Sequence, residues 1–289
     1  MTDGPLPVLG SLDPTSPAPF HQASALRRVA GEPIVNLLYP RALTMEVAHP
    51  SVAAAVAEHS HFQQRPLSRL WATSDAAMRL VFGQGAEPME AAQHIYRIHD
   101  RINGTSGGVA YTAHDASLLL WVWATLVDTF EVAFTRWVRP YRPGEAEEFY
   151  QDMARFARFF GIPDRLVPAD RDAFAAYLDG VLAGDLLGST ATSARMVREV
   201  LWFERWYLPQ PVGSALRILA VGTLDDRLAD RLDVALDAGD HRRFDRLDRG
   251  LRRHYTRLPV ARTDMPYLYL GVRRSLSSAQ ALFSRSTAS

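Results

Sequence analysis

Apolar residues recur every three or four positions along most of the chain, which is the spacing of one face of an α-helix. The stretch 67–82 is a clear example, and Gly83 follows its last apolar residue. Comparable patterns predict helices over 52–59, 86–102, 116–138, 145–160, 171–183, 193–207, 212–220, 225–236 and 242–255. No segment alternates convincingly between apolar and polar residues, as a half-buried strand would. The pattern therefore predicts an all-α protein.

The helix predicted over 116–138 is apolar on all sides, which is typical of a helix at the centre of a protein. Asp115 is placed to cap its first turn, and Pro140 follows its end. Its richest apolar run, 118–127, ends at Asp128 and is much shorter than the roughly 18 residues that a membrane helix needs. We therefore expect a central core helix and no membrane span.

Residues 1–20 differ from the rest of the chain, because they contain five prolines and no helical pattern. We expect a flexible N-terminal arm there and one helical domain over 21–289, with the Gly- and Ser-containing break at 184–192 joining two halves of that domain. The arm also lacks a basic start and an apolar core, the features of a secretion signal. The sequence thus predicts a cytoplasmic protein.

Charge and residue usage remove several classes of function. The chain has 32 basic and 32 acidic residues, a balance that argues against a dedicated nucleic-acid-binding protein. It contains no cysteine and no lysine, which excludes disulfides, thiolate-bound metals, Schiff-base chemistry and a phosphate-binding loop lysine. Histidine, carboxylate, tyrosine and serine side chains, or a bound cofactor, remain as sources of chemistry.

Histidines are concentrated in the first half of the chain. Six of the nine lie between positions 49 and 114, at 49, 59, 61, 94, 99 and 114. Neutral imidazole is a common ligand of metals and of heme iron, although most single histidines lie on helix surfaces or are satisfied in the core. His99 ends an apolar-faced helix just before Asn103 and is the stronger candidate. His94 is weaker, and the two point about 140° apart on a helix, so they cannot share one metal without distortion.

Two other patterns suggest chemistry, each with a common structural alternative. Glu46 and His49, like Glu58 and His61, have the Glu-x-x-His spacing of di-iron carboxylate bundles, but both pairs fall within 16 residues instead of on facing helices. A further pair, Arg69 and Thr73, is four residues apart on one helix face and could form the polar floor of an apolar pocket. A surface arginine and a threonine bonded to its own helix would have the same spacing. The arginine-rich block 242–257 is typical of a solvated helix face.

An ordered set of short motifs resembles the MpaB-like oxygenase family, which includes the catalytic domain of rubber oxygenase, the latex clearing protein. The resemblance covers roughly 25–275, and its clearest pieces lie at 49–56, 58–60, 69–70, 81–83, 111–113, 120–122, 161–163 and 222–224. It implies an all-α, globin-like protein that binds heme b and uses O2. It also implies that His99 is the proximal iron ligand and that Arg69 and Thr73 are polar residues on the distal, substrate side. Ala72 departs from the family at a position where rubber oxygenases can place a lysine on the iron.

Glu46 and Trp123 also depart from the family pattern, at positions where many relatives have glutamine and histidine. These departures leave the substrate open. The resemblance and the residues together suggest a heme b-dependent oxygenase or oxidase that acts with O2 on a small apolar organic substrate, as a biosynthetic tailoring step. An external electron donor, or the substrate itself, would supply reducing equivalents, since no nicotinamide or flavin fingerprint is present. The alternatives are a helical protein that binds heme or a hydrophobic ligand without catalysis, and the di-iron oxygenase.

Overall fold

The protein is built almost entirely from helices. The computed structural model describes residues 19–59, 66–202 and 208–258, and for 66–73 it describes the backbone only. The described α-helices are α1 (Ala25–Ala30), α2 (Tyr39–Ala48), α3 (Pro50–His59), α4 (Pro66–Phe82), α5 (Glu87–His99), α6 (Ala116–Trp137), α7 (Glu145–Ala157), α8 (Arg171–Ala183), α9 (Ala191–Leu201), α10 (Gln210–Val221), α11 (Asp226–Arg231) and α12 (Ala238–His254). The predicted all-α class is confirmed.

Short 3₁₀ helices connect or extend several of these elements. They lie at Pro33–Leu38, Arg158–Phe160, Asp164–Leu166 and Tyr255–Arg257. The segment predicted as one helix over 145–160 is α7 followed by such a turn, which ends at Gly161. Gly161 has a φ of 79°, a left-handed conformation that glycine adopts without a steric penalty. The chain therefore stops its helix at a position where a larger residue would be strained.

Helix α6 lies at the centre, as its sequence predicts. Asp115 caps it by accepting a hydrogen bond from the Ser117 amide at 2.9 Å. The helix packs against α2, α7, α12 and the 3₁₀ turn Pro33–Leu38. Its length and apolarity would suffice to cross a membrane, but 67% of the apolar window is buried inside the protein, as in a core helix.

Helix α2 was not among the predicted helices, and its burial explains why. Eight of its ten residues are buried, because α6, α9, α3 and α10 surround it. A helix covered on nearly every side has no polar face, so the periodicity that reveals an amphipathic helix is weak. Arg41 is part of this buried set. Its guanidinium bonds to Asp128 Oδ2 at 2.6 Å, Thr129 Oγ1 at 2.8 Å and the Thr223 carbonyl at 2.9 Å, which satisfies the charge within the core.

A small antiparallel hairpin, not predicted from the sequence, follows α5. Its strands are β1 (Asn103–Ser106) and β2 (Val109–Thr112), and Gly104 pairs with Tyr111. Gly107 and Gly108 form the two-residue turn with φ values of 58° and 83°, the positive values that this type of hairpin turn requires. Strands of four residues are too short to show a convincing alternation, so the glycine pair was the available signal.

Candidate active site

The residues around the C-terminal end of α5 form the candidate active site. His99 is the last residue of α5 and is half-buried. The prediction extended this helix to Ile102, but the Ile102 amide instead closes a turn by donating to the His99 carbonyl at 3.0 Å. Ile102 is an apolar residue that fits the helical spacing of α5, but it packs outside the helix, in a small cluster with Ala54, Tyr111 and Leu118. The helix therefore ends at the histidine, although its apolar pattern runs on.

His114 lies directly beside His99. The two ring centroids are 6.0 Å apart and the rings meet edge to face, at 73°. His114 is held from two other sides, because its Nε2 donates to Asp100 Oδ1 at 2.8 Å and its ring packs 4.2 Å from that of Tyr96. Tyr96 precedes His99 by three residues and lies on the same side of α5. These contacts surround one side of the His99 imidazole with fixed groups.

The hairpin is attached to α3 by two further hydrogen bonds. The Tyr111 hydroxyl donates to Glu58 Oε2 at 2.9 Å, and His59 Nε2 donates to the Asn103 carbonyl at 2.9 Å. Gly104 lies between these groups, where an added Cβ atom would be 2.7 Å from both Glu58 Oε2 and the Tyr111 oxygen. Burial, and then the bond to the Glu58 carboxylate, raise the pKa of Tyr111 to about 12, so this phenol is neutral at physiological pH.

The two predicted distal residues, Arg69 and Thr73, lie on α4, which packs against α5. Their side chains are outside the described part of the structure, so their predicted role stays a prediction. His94 is exposed on α5. His99 is thus the predicted site residue whose surroundings the structure describes in detail.

His49 has a structural position at the start of α3. Its Nδ1 accepts a hydrogen bond from the Ser51 amide at 3.2 Å, which satisfies one of the unpaired amides of the first helical turn. Burial lowers the pKa of His49, against the smaller opposing effect of Asp115. The hydrogen bond from Ser51 and the lowered pKa of His49 both favour a neutral imidazole. This imidazole caps the first turn of α3.

Within the described residues, no group of three or more histidine, aspartate or glutamate side chains is arranged to hold a metal ion. The second Glu-x-x-His pair of the di-iron hypothesis includes His61, which lies outside these residues. A porphyrin supplies four ligands to its iron and needs one imidazole from the protein. His99, a half-buried histidine at the end of a helix, fits such a group because it could supply that imidazole.

The site includes residues that sequence reasoning did not assign to it. Tyr111 entered only as part of a family motif, and Glu58 as part of such a motif and of the di-iron pair with His61, whereas in the structure the two hold the hairpin to α3. Trp123, which replaces a histidine of many relatives, is 1% exposed in the core, and its Nε1 donates to the Met153 carbonyl at 2.8 Å. The tryptophan at this position is therefore part of the packed core.

The fold and the site define an all-α protein with a histidine-based centre at the junction of α5 and the hairpin. The family model described as "ER-bound oxygenase mpaB/B'/Rubber oxygenase, catalytic domain" matches residues 27–253. The chain therefore belongs to this family and is an oxygenase-type oxidoreductase. Neither a comparison with curated proteins nor one with solved structures gave a match.

Proposed function

We propose that this protein is a heme b-dependent oxygenase that uses O2 to oxidise a small apolar organic substrate in a biosynthetic tailoring step. One observation carries the proposal: within the stretch that matches an oxygenase catalytic domain, a half-buried imidazole, His99, ends helix α5 and lies beside the rings of His114 and Tyr96. The globin-like comparison made from the sequence belongs to this proposal as well.

His99 is the proposed axial ligand. An iron-bound imidazole must be neutral at the ligating nitrogen and held in one orientation, which its neighbours in the protein usually ensure. His114 and Tyr96 line one side of α5 next to it. A bound heme would supply the iron that reacts with O2, chemistry that the side chains alone do not provide.

Arg69 and Thr73 are proposed to act on the other side of the pocket. They lie on α4, the helix that packs against α5, and are four residues apart on one helix face. A guanidinium and a hydroxyl there would orient a substrate oxygen and donate hydrogen bonds to negative charge that develops during oxidation.

The remaining parts of the proposal concern partners and location. We propose a small-molecule substrate, with electrons that come from an external donor or from the substrate itself. We also propose a cytoplasmic location without a membrane span. Ala72 has no side chain able to ligate iron, so a lysine-closed state of the kind known in rubber oxygenases is not available.

The first experiment is an absorption spectrum of protein purified from heme-replete cells, followed by a pyridine hemochrome assay. We expect a strong Soret band and about one heme b per chain, since one axial histidine serves one heme. His99→Ala should lose this band while circular dichroism shows that it stays folded, and His94→Ala, on the exposed face, should keep it. A colourless wild-type protein would overturn the proposal, and iron without porphyrin absorbance would favour the di-iron alternative.

Arg69→Ala tests the distal role. This variant should keep the Soret band and lose about 10²–10³-fold in turnover, as removal of a donor to developing negative charge typically does. Turnover is measured as substrate-dependent O2 consumption. Unchanged turnover would contradict the role of Arg69, and heme without O2 consumption for any apolar substrate would favour the non-catalytic binding protein.

A further inference from the structure

The hairpin Asn103–Thr112 follows α5 along the chain, and its first strand packs against α3. It begins four residues after His99, and its second strand ends two residues before His114. Residues next to both of its ends contact His99, because the Ile102 amide donates to the His99 carbonyl and the His114 ring lies 6.0 Å from that of His99. Its attachment to the rest of the protein determines where these ends lie.

On the α3 side, the hairpin is held by a buried hydroxyl. Tyr111 is 6% exposed, and its hydroxyl bonds to Glu58 near the end of α3. Gly104, its partner in the opposite strand, leaves just enough room for this bond, because any Cβ atom there would collide with both bonded oxygens. Such close packing allows the hydrogen bond a narrow range of geometries.

On the α5 side, the hairpin positions the rings next to His99. The Ala113 amide donates to the Ile102 carbonyl at 2.9 Å, which extends the pairing of the strands toward α5. His114 follows immediately and contacts both His99 and Asp100. A shift of β2 would therefore move His114 against the His99 imidazole.

We propose that Tyr111 is a positioning residue for His99 and acts through the hairpin, with Glu58 as its anchor on α3. The inference rests on the proposed function, in which His99 holds the heme iron. Groups that orient a metal-ligating histidine affect how tightly the metal centre is held, and their loss typically costs about 10- to 100-fold in affinity. We expect Tyr111 to act in this way through the hairpin and His114.

Tyr111→Phe removes the hydroxyl and keeps the ring. Tyr150→Phe is its matched control, because Tyr150 is also buried and its hydroxyl also donates one hydrogen bond, to the Pro168 carbonyl at 2.6 Å, away from the hairpin. We expect Tyr111→Phe to release heme to apomyoglobin about 10-fold faster than wild type and to change the ferric spin-state balance in the EPR spectrum. Tyr150→Phe should do neither. Equal release rates and equal spectra for the two variants would overturn the proposal.

The anchor gives a second comparison. Glu58→Gln keeps an oxygen that can accept from Tyr111 and should retain heme like wild type, whereas Glu58→Ala should behave like Tyr111→Phe. This rescue separates the loss of the hydrogen bond from the loss of the negative charge. Wild-type heme retention in Glu58→Ala would contradict the role of Glu58 as the anchor.

A measurement on the cofactor-free protein separates this inference from the proposed function. The imidazole signals of His99, assigned by their loss in His99→Ala, should shift in the NMR spectrum of Tyr111→Phe and stay in place in that of Tyr150→Phe. If wild type binds no heme, the proposed function fails, and these signals still decide whether Tyr111 positions His99. Signals that move equally in both variants, or in neither, would overturn the inference.

Discussion

The centre of the molecule and its candidate site use similar polar residues in different ways. At the centre, the ion pair between Arg41 and Asp128 has side chains that are 4% and 20% exposed, and Arg41 makes two further hydrogen bonds. At the site, the pair between His114 and Asp100 has side chains that are 27% and 53% exposed. Buried pairs are costly to break, whereas exposed pairs contribute little to stability. The comparison indicates that the polar contacts around α6 stabilise the fold, whereas loss of the pair at the site should lower the free energy of unfolding only slightly.

The largest expected effect is in the core. Trp123→Ala should lower the free energy of unfolding by about 3–5 kcal/mol, because it leaves a large cavity between α6 and α7. The matched control is Trp202→Ala, since the Trp202 side chain is 54% exposed and its loss should cost less than about 0.5 kcal/mol. Urea unfolding followed by circular dichroism measures both. Similar losses for the two tryptophans would contradict the picture of a core centred on α6.

A matched pair of aspartates tests the comparison itself. Asp128→Ala should cost about 2–3 kcal/mol, because it leaves the buried Arg41 guanidinium without its carboxylate, and the partial exposure of Asp128 reduces the effect. Asp100→Ala should cost less than about 1 kcal/mol, because its hydrogen bond to His114 joins side chains that are partly open to solvent. The two are compared by denaturant unfolding at neutral pH. Equal costs would show that the site is as tightly coupled to the fold as the centre is.

The smallest expected effect is a dependence of stability on pH through His49. Burial lowers the pKa of His49 in the folded protein, so the unfolded chain binds a proton more readily at this residue. The stability that neutral His49 contributes is therefore fully present above its ordinary pKa of about 6.5. It is lost as the pH falls from there through the lower pKa that His49 has in the folded protein. His49→Asn keeps a side-chain oxygen that can accept from the Ser51 amide, but it does not titrate.

The measurement is the unfolding free energy of the two proteins between neutral and mildly acidic pH. Wild type should lose more stability than His49→Asn over this interval. A steeper loss in the variant would mean that the sign is wrong and that protonated His49 is favoured in the folded state.

Sequence patterns predicted most helices because their apolar faces meet the core at regular intervals. The range predicted for α8, 171–183, agrees with the structure, and its start is marked by a cap, in which Asp170 accepts from the Ala173 amide. The predicted end of α5 was three residues too late, because Ile102 follows the helical spacing although it packs against Tyr111 of the hairpin. Local spacing describes which side of a segment is buried, and here it did not show where the helix stops.

The candidate site was predictable in part. His99 was predicted from its position at a helix end and from the family resemblance, and its role stays a prediction. The bond between Tyr111 and Glu58 joins residues 53 positions apart, and no spacing rule connects residues at that distance. It depends on how α3, α5 and the hairpin meet in three dimensions. The seven arginines of 242–257 belong to α12 and the 3₁₀ helix that follows it, and all seven are exposed, as the charge pattern indicated.

The tip of the hairpin offers a place to attach a reporter. Val109 is 67% exposed next to the two-glycine turn, so a probe there would meet no packed neighbours. Because the chain contains no cysteine, Val109→Cys would create a unique thiol. A nitroxide spin label on that thiol would move with the hairpin, while the helices remain unlabelled. The line width of its EPR spectrum would then report how mobile the hairpin is.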